Sequence, residues 1–167
     1  MSLSDDLIEQ AEHLATRDAR RPRQANLRRA VSSAYYALFH LLVQAAAAAP
    51  GNDPGFRALV ARVPRHEDVK RACKAALTPG GWQGPLREVA GGPAVPPELC
   101  LVCEAFVEMQ EARHEADYNL ARPLARVDVL ARVQLAKDAV AAWEAVRFHR
   151  SAALLQLLVL FGERWKR

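Results

Sequence analysis

The sequence predicts an all-α protein, built as an up-and-down helical bundle of four to five main helices. Apolar residues recur at helical spacing over most of the 167 residues, and no stretch alternates with a period of two. Glycine and proline collect between the periodic stretches, where they end helices. Because 51% of residues are hydrophobic and 25% charged, composition is that of an ordinary globular chain, and residues 1–167 are expected to form one domain.

The first half of the chain contains two predicted long helices and two short ones. Ser4, with acids behind it, is the expected N-cap of a helix that ends near Arg17. A second helix runs from about Gln24 to Ala49 without Gly or Pro, and its nearly continuous apolar character predicts burial. Short helices are expected over residues 56–63 and 67–77.

Residues 78–97 hold five of the eight glycines and five of the ten prolines, so no regular element is expected there. Trp82 lies inside this predicted loop, either anchored on the body of the protein, which we favour, or free to stack on a ligand. Pro96 and Pro97 open a helix that continues to Asp117.

The C-terminal part is predicted to form one extended helix, which begins after Pro123 and stops at Gly162. Its apolar run from Leu154 to Phe161 is richer than one core-facing side requires. That run is either core or a homodimer surface.

The cysteine content, in a chain with no predicted signal peptide, indicates a protein of the cytoplasm, and the charge balance is modestly positive. The formal net charge is +4 and the pI about 9.2, which is compatible with nucleic-acid contact without demanding it. Three cysteines are an odd number, and the uncharged apolar run of residues 151–162 is too short to span a bilayer. Between Arg17 and Arg29 there are six arginines and one acid, which form either a solvated helix junction or a phosphate-binding patch.

Polar residues form a row on the second helix. Spacings of four, three and four place these side chains within roughly 60° of arc on an otherwise apolar helix. Such a row meets either polar partners, as a structural seam, or a water-filled cleft, because unpaired burial costs a few kcal/mol per group. The candidate binding residues of this row are Arg29, Ser33, Tyr36 and His40.

A second polar group ends the helix that begins at Pro97. Arg113 and Asp117 continue its apolar face, so both are expected to point inward and to form an i, i+4 ion pair. Tyr118 would close that end of the bundle, whereas His114 lies off the face and is expected in solvent. Cys100 and Cys103 have ligand-like spacing but no second pair, so core packing is favoured and neither a metal nor a cofactor is predicted.

Together, residues 29–40 (Arg-Ala-Val-Ser-Ser-Ala-Tyr-Tyr-Ala-Leu-Phe-His) and the later Arg113-x-x-x-Asp117-Tyr118 resemble the small prokaryotic members of the HEPN superfamily. The resemblance implies a four- or five-helix bundle, often a homodimer, over roughly residues 4–146. Many members are metal-independent ribonucleases of toxin–antitoxin, CRISPR or stress systems. Others are inactive binders of RNA or nucleotides, frequently paired with a small nucleotidyltransferase.

The chain departs from the ribonuclease branch, in which an Arg is followed after four to six residues by a His. Arg62 is too close to His66, and Arg29 is too far from His40. The motif positions that the resemblance carries over, as a polar binding cleft, are Ser33, Tyr36, His40, Arg113, Asp117 and Tyr118. The leading hypothesis is therefore a binder of RNA or a nucleotide, through the polar row facing Arg113 and Asp117. One alternative is a ribonuclease with a rearranged site, where His40 is the general acid or base and Arg113 or Arg29 stabilises the phosphate. The other is a dimeric adaptor without enzymatic activity.

Overall fold

A computed structural model describes residues 2–18 and 20–162, and all regular structure in these residues is helical. The all-α prediction is thus confirmed. The elements are α1 (Leu3–Thr16), α2 (Gln24–Ala48), α3 (Pro54–Val60), α4 (His66–Ala76), α5 (Gly84–Ala90), α6 (Pro97–Tyr118), α7 (Arg126–Val146) and α8 (Arg150–Phe161).

Helix α2 is the most buried element and lies at the centre of the core. It packs against α1, α6, α7 and α8, and 13 of its 25 residues are buried. Small alanines allow these close approaches, while Leu27, Tyr35 and Leu38 fill the volume between the helices. By length and composition α2 could cross a membrane, but 67% of the relevant window is buried inside the protein, as in a core helix.

Helix α1 begins two residues earlier than the sequence predicted. Ser2, not Ser4, is its N-cap: the Ser2 hydroxyl accepts a hydrogen bond from Asp5 N–H, and the Asp5 carboxylate accepts one from Ser2 N–H. This reciprocal capping box satisfies two backbone donors at once. Ser4 lies inside the first turn and is buried.

The predicted loop at residues 78–97 contains a helix, so the expectation of no regular element there was wrong. Pro85 occupies the first turn of α5, where its missing N–H is harmless, and Gly91 ends the helix with φ +79°. Proline and glycine thus act here as helix boundaries. Gly81, with φ +78°, cannot be replaced without strain, because an added Cβ would overlap the Pro93 carbonyl.

Trp82 anchors this segment, as favoured from the sequence. Its side chain is 0% exposed, and its Nε1–H donates to Ser151 Oγ over 3.1 Å. The backbone N–H of Trp82 donates to Pro93 O over 2.8 Å, which joins the two ends of the segment. The ring therefore attaches residues 78–97 to α8.

The extended C-terminal helix is in fact two helices, α7 and α8, separated at Arg147–His149. His149 takes an extended backbone conformation, and its Nδ1 accepts a hydrogen bond from Ser151 N–H, so it caps α8. This break turns the Leu154–Phe161 run so that Leu154, Leu155, Leu158 and Val159 are buried. Leu157 and Phe161 are about half exposed. Gly162 ends α8 with φ +58°, as predicted.

Candidate functional site

The ion pair predicted between Arg113 and Asp117 is present on α6. Arg113 Nε lies 2.7 Å from Asp117 Oδ2, and the two side chains are 25% and 30% exposed. The other carboxylate oxygen, Asp117 Oδ1, accepts a hydrogen bond from Ser32 Oγ on α2 over 2.9 Å. The carboxylate therefore joins α6 to α2 and orients the guanidinium.

The Arg113 guanidinium is also in contact with Tyr36. Its Cζ lies 5.9 Å from the centroid of the Tyr36 ring, and its Nη2 donates to the Tyr36 hydroxyl over 3.5 Å. Partly buried contacts between a cation and an aromatic ring are worth about 1 kcal/mol. Asp117 and Tyr36 thus hold the guanidinium from two sides while part of it remains accessible.

His66, the first residue of α4, completes this cluster. Its ring centroid is 4.2 Å from that of Phe39 and 6.0 Å from that of Tyr36. The Tyr35 hydroxyl lies 2.6 Å from His66 Nδ1. Burial raises the pKa of the Tyr35 hydroxyl, so the hydroxyl stays protonated and donates a hydrogen bond to His66 Nδ1. The neutral His66 ring then carries its own proton on Nε2.

His40 lies one turn further along α2, at the other side of Tyr36. The ring centroids of Tyr36 and His40 are 6.1 Å apart in a stacked arrangement. Burial lowers the pKa of His40 below its usual value. Burial also lowers the pKa of His66, and the Arg113 charge lowers it further. Both imidazoles are therefore neutral at pH 7.

These two histidines predict a loss of stability in mild acid. A depressed folded-state pKa means that the unfolded chain takes up protons first as the pH falls through about 6.5. The stabilisation is complete above that pH and is lost as the pH falls through the folded-state pKa values. We expect the free energy of unfolding to decrease between about pH 7.5 and about pH 5 in urea titrations.

The double variant His40→Gln/His66→Gln should show a smaller decrease over the same interval. The exposed His13 supplies the control, since His13→Gln should leave the decrease unchanged. An equal decrease in the intact protein and the double variant would contradict this prediction.

The polar row predicted on α2 does not face α6 as one unit. Tyr36 and His40 lie at the cluster, but Ser33 Oγ donates to Gln10 Oε1 on α1 over 2.9 Å. Arg29 is exposed at the start of the row. Ser32, one position earlier, makes the contact with Asp117 that was expected of the row. The rotation of α2 between its two neighbouring helices decides which serine meets which partner.

Tyr118 ends α6 and is 67% exposed, with its ring centroid 4.8 Å from that of His114. His114 is exposed, as predicted. Both side chains line a groove of about 690 Å³ between α4 and α6, whose other lining residues are Glu67, Lys70, Gln110, Glu111, Glu115 and Asn119. The three glutamates outnumber the one lysine, and their net negative charge repels a phosphate. The groove is therefore a poorer anion site than the cluster around Arg113.

Sequence reasoning missed two residues, His66 in the cluster and Ser32, which donates to Asp117. His66 follows Pro64 at the start of a short helix, where no periodic pattern shows which side it faces.

Cys103 is fully buried, in agreement with core packing. Among residues 2–18 and 20–162, no three His, Cys, Asp or Glu side chains are grouped so that they could hold a metal ion.

Comparisons with protein-family models, with curated proteins and with solved structures gave no match. The function is therefore argued from the chemistry of the cluster formed by Tyr36, His40, His66, Arg113 and Asp117, which we call the Arg113 cleft.

Proposed function

We propose that this protein is a HEPN-like bundle of four to five main helices that binds RNA or a nucleotide in the Arg113 cleft. The observation that carries the proposal is the placement of Arg113, held by Asp117 and Tyr36 beside two neutral imidazoles. An oriented guanidinium offers paired N–H donors that match phosphate oxygens. The Tyr36 and His40 rings offer flat surfaces on which a base can stack.

Packing supports the bundle within this proposal. Arg28 near the start of α2 donates to the carbonyl oxygens of Ala116 and Asn119 at the end of α6, so these two long helices run antiparallel. The resemblance to HEPN proteins adds the remaining parts: a cytoplasmic homodimer acting in a toxin–antitoxin or stress system, with a small nucleotidyltransferase as the partner.

Binding is favoured over catalysis because Asp117 already neutralises part of the Arg113 charge. A phosphate must then share the guanidinium with a carboxylate, which weakens stabilisation of a developing negative charge. The sequence also lacks an Arg followed after four to six residues by a His, the spacing of the ribonuclease branch, and this too favours binding over catalysis. We therefore place ribonuclease activity second.

The ribonuclease alternative is favoured by one observation, the two imidazoles on either side of Tyr36. A neutral His40 can accept the proton of a ribose 2′-hydroxyl as that oxygen attacks phosphorus. The departing 5′-oxygen takes a proton from a second acid, and Arg113 offsets the charge on the phosphate oxygens. None of these roles requires a metal ion.

Total cellular RNA incubated with the purified protein in chelator separates the two functions. Binding in a gel-shift titration without cleavage is expected for the leading proposal. Cleavage that disappears in both His40→Ala and Arg113→Ala would establish the ribonuclease instead. The exposed His13→Ala variant is the matched control and should behave as the intact protein. If the protein neither binds nor cleaves RNA, the dimeric adaptor is the remaining hypothesis, and light scattering tests whether the protein is a dimer.

A further inference from the structure

Four helix termini meet at one end of the molecule. The Gln24 side chain donates to Leu124 O over 2.9 Å and accepts from Leu124 N–H over 2.8 Å, which joins the start of α2 to the segment before α7. Arg126 at the start of α7 donates to the carbonyl oxygen of Asp18, just after α1. Arg28 bridges to the end of α6. We call this region, residues 17–29 (apart from residue 19) and 122–128, the arginine end.

The arginine end carries more positive charge than the whole chain does. Its two segments contain eight arginines and two aspartates, a net charge of +6, whereas the complete chain has +4. The other residues therefore sum to −2, and the basic character of the protein comes from this end. A charge imbalance of this kind produces a localised positive potential, the feature that attracts polyanions.

Little of this charge is neutralised by acids. Asp18 accepts hydrogen bonds from Arg23 N–H over 2.9 Å and from Asn26 Nδ2 over 2.8 Å, and it forms a 3.8 Å ion pair with Arg23 Nε. Arg122 pairs with Glu115 over 3.0 Å. The exposed side chains of Arg20, Arg21 and Arg29 form no ion pair with any residue in the part of the chain that the structure describes.

Two long helices also direct their N-termini at this end. Neither the 25-residue α2 nor the 21-residue α7 has a side-chain hydrogen bond at its N-cap, Arg23 and Ala125 respectively. Their first backbone N–H groups add hydrogen-bond donors for an anion. The C-termini of α1 and α6 end in the same region, and their dipoles offset those of α2 and α7, so the positive potential of this end comes from the arginine side chains.

We propose that the arginine end binds the phosphate backbone of a single-stranded RNA whose adjoining nucleotide occupies the Arg113 cleft. Arg29, Tyr36 and His40 lie at spacings of seven and four on one strip of α2. At 1.5 Å per residue, Arg29 is about 10 Å from Tyr36 and about 17 Å from His40 along the helix axis. A ligand that reaches both places is longer than one nucleotide. This inference rests on the proposed function, since it selects RNA over a mononucleotide.

An anionic membrane is the other polyanion that such a surface could meet. Leu120 and Val127 are 75% and 72% exposed near the arginine end, and apolar side chains of this kind can enter a lipid layer. RNA is favoured because Arg29 is on the same helix as the aromatic rings of Tyr36 and His40. Those rings can stack on a nucleic-acid base, whereas a phosphatidylserine headgroup has no aromatic ring to stack on them.

The test measures fluorescence anisotropy of a labelled single-stranded RNA of about 12 nucleotides and of a labelled mononucleotide, each over a series of salt concentrations. The test variant is Arg20→Gln/Arg21→Gln/Arg29→Gln, whose side chains are exposed, so folding should be unaffected. The matched control, Lys74→Gln/Arg87→Gln/Arg147→Gln, removes three exposed charges elsewhere.

For the test variant we expect RNA affinity to fall about tenfold at low salt and the salt slope to decrease by about 2, because three phosphate contacts are lost at about 0.7 each. Mononucleotide binding should be unchanged, and the control variant should behave as the intact protein. Equal RNA binding by the test variant, or an equal loss in the control, would overturn the inference.

A cleft variant, Arg113→Met, distinguishes this inference from the proposed function. If Arg113→Met abolishes binding while the test variant binds normally, the proposed function of the Arg113 cleft is supported and the inference about the arginine end is wrong. If only the test variant weakens RNA binding, the inference about the arginine end is supported and the proposed function of the cleft is wrong. Binding to phosphatidylserine vesicles that is lost in the test variant, with no RNA binding, would assign the surface to lipid and overturn the inference.

Discussion

Arg113→Met is expected to weaken the binding of RNA or a nucleotide by about 10- to 100-fold, the equivalent of one lost hydrogen-bonding contact to a charged group. Methionine keeps the aliphatic stem but removes the donors that Asp117 and Tyr36 orient. The Asp117 carboxylate then remains in the cleft and repels the phosphate. Fluorescence anisotropy with a labelled RNA measures the change.

Two further variants show whether Arg113 acts through the ligand or through the fold. Asp117→Asn keeps an acceptor for Ser32 and releases the guanidinium, so binding should be retained or tightened. Arg71→Met, the matched control, removes an arginine from an exposed ion pair with Asp68 and should leave binding unchanged. An Asp117→Asn variant that binds as poorly as Arg113→Met would mean that the pair only supports the fold.

Trp82→Ala is expected to lower the free energy of unfolding by about 3–5 kcal/mol, the usual cost of removing a large buried ring. Trp82 is 0% exposed, and its loss leaves a cavity between α8 and residues 78–97. It also leaves the buried Ser151 hydroxyl without its indole donor. Urea unfolding followed by circular dichroism measures the change.

Trp82→Phe separates packing from hydrogen bonding at this position. Phenylalanine retains much of the apolar volume but cannot donate to Ser151, so a decrease of about 1–3 kcal/mol is expected. The exposed Phe148 provides the control, because Phe148→Ala should change the free energy of unfolding by less than about 0.5 kcal/mol. A decrease in Trp82→Ala no larger than that in the control would contradict the anchoring role.

The helices could be predicted where their signals are local. The long apolar stretch without Gly or Pro gave α2 its bounds to within one residue, and the Pro96-Pro97 pair located the start of α6. Prediction failed at the boundary between α7 and α8, where the apolar periodicity does not change. The helical periodicity of residues 124–161 continues across the break, and only the capping of α8 by His149 shows where α7 ends.

In the candidate site, too, some contacts could be predicted from the sequence and others could not. The ion pair of Arg113 and Asp117 follows from a spacing of four on one helix, which any helix enforces. The contact between Tyr36 and Arg113 requires α2 and α6 to pack at one particular rotation. The contact between Tyr35 and His66 joins residues 31 positions apart on different helices, and no periodicity encodes it.

The sequence by itself determined the helical class, the bounds of α2 and α6, the ion pair on α6 and the excess of arginine between residues 17 and 29. Each of these depends on composition or on spacing within one turn of a helix. The tertiary structure alone decided that Ser32 rather than Ser33 meets Asp117, that His66 joins the Arg113 cleft, and that residues 122–128 add their arginines to those of 17–29. These features depend on how whole helices rotate and pack against one another, and that arrangement is set by the shape of the shared core.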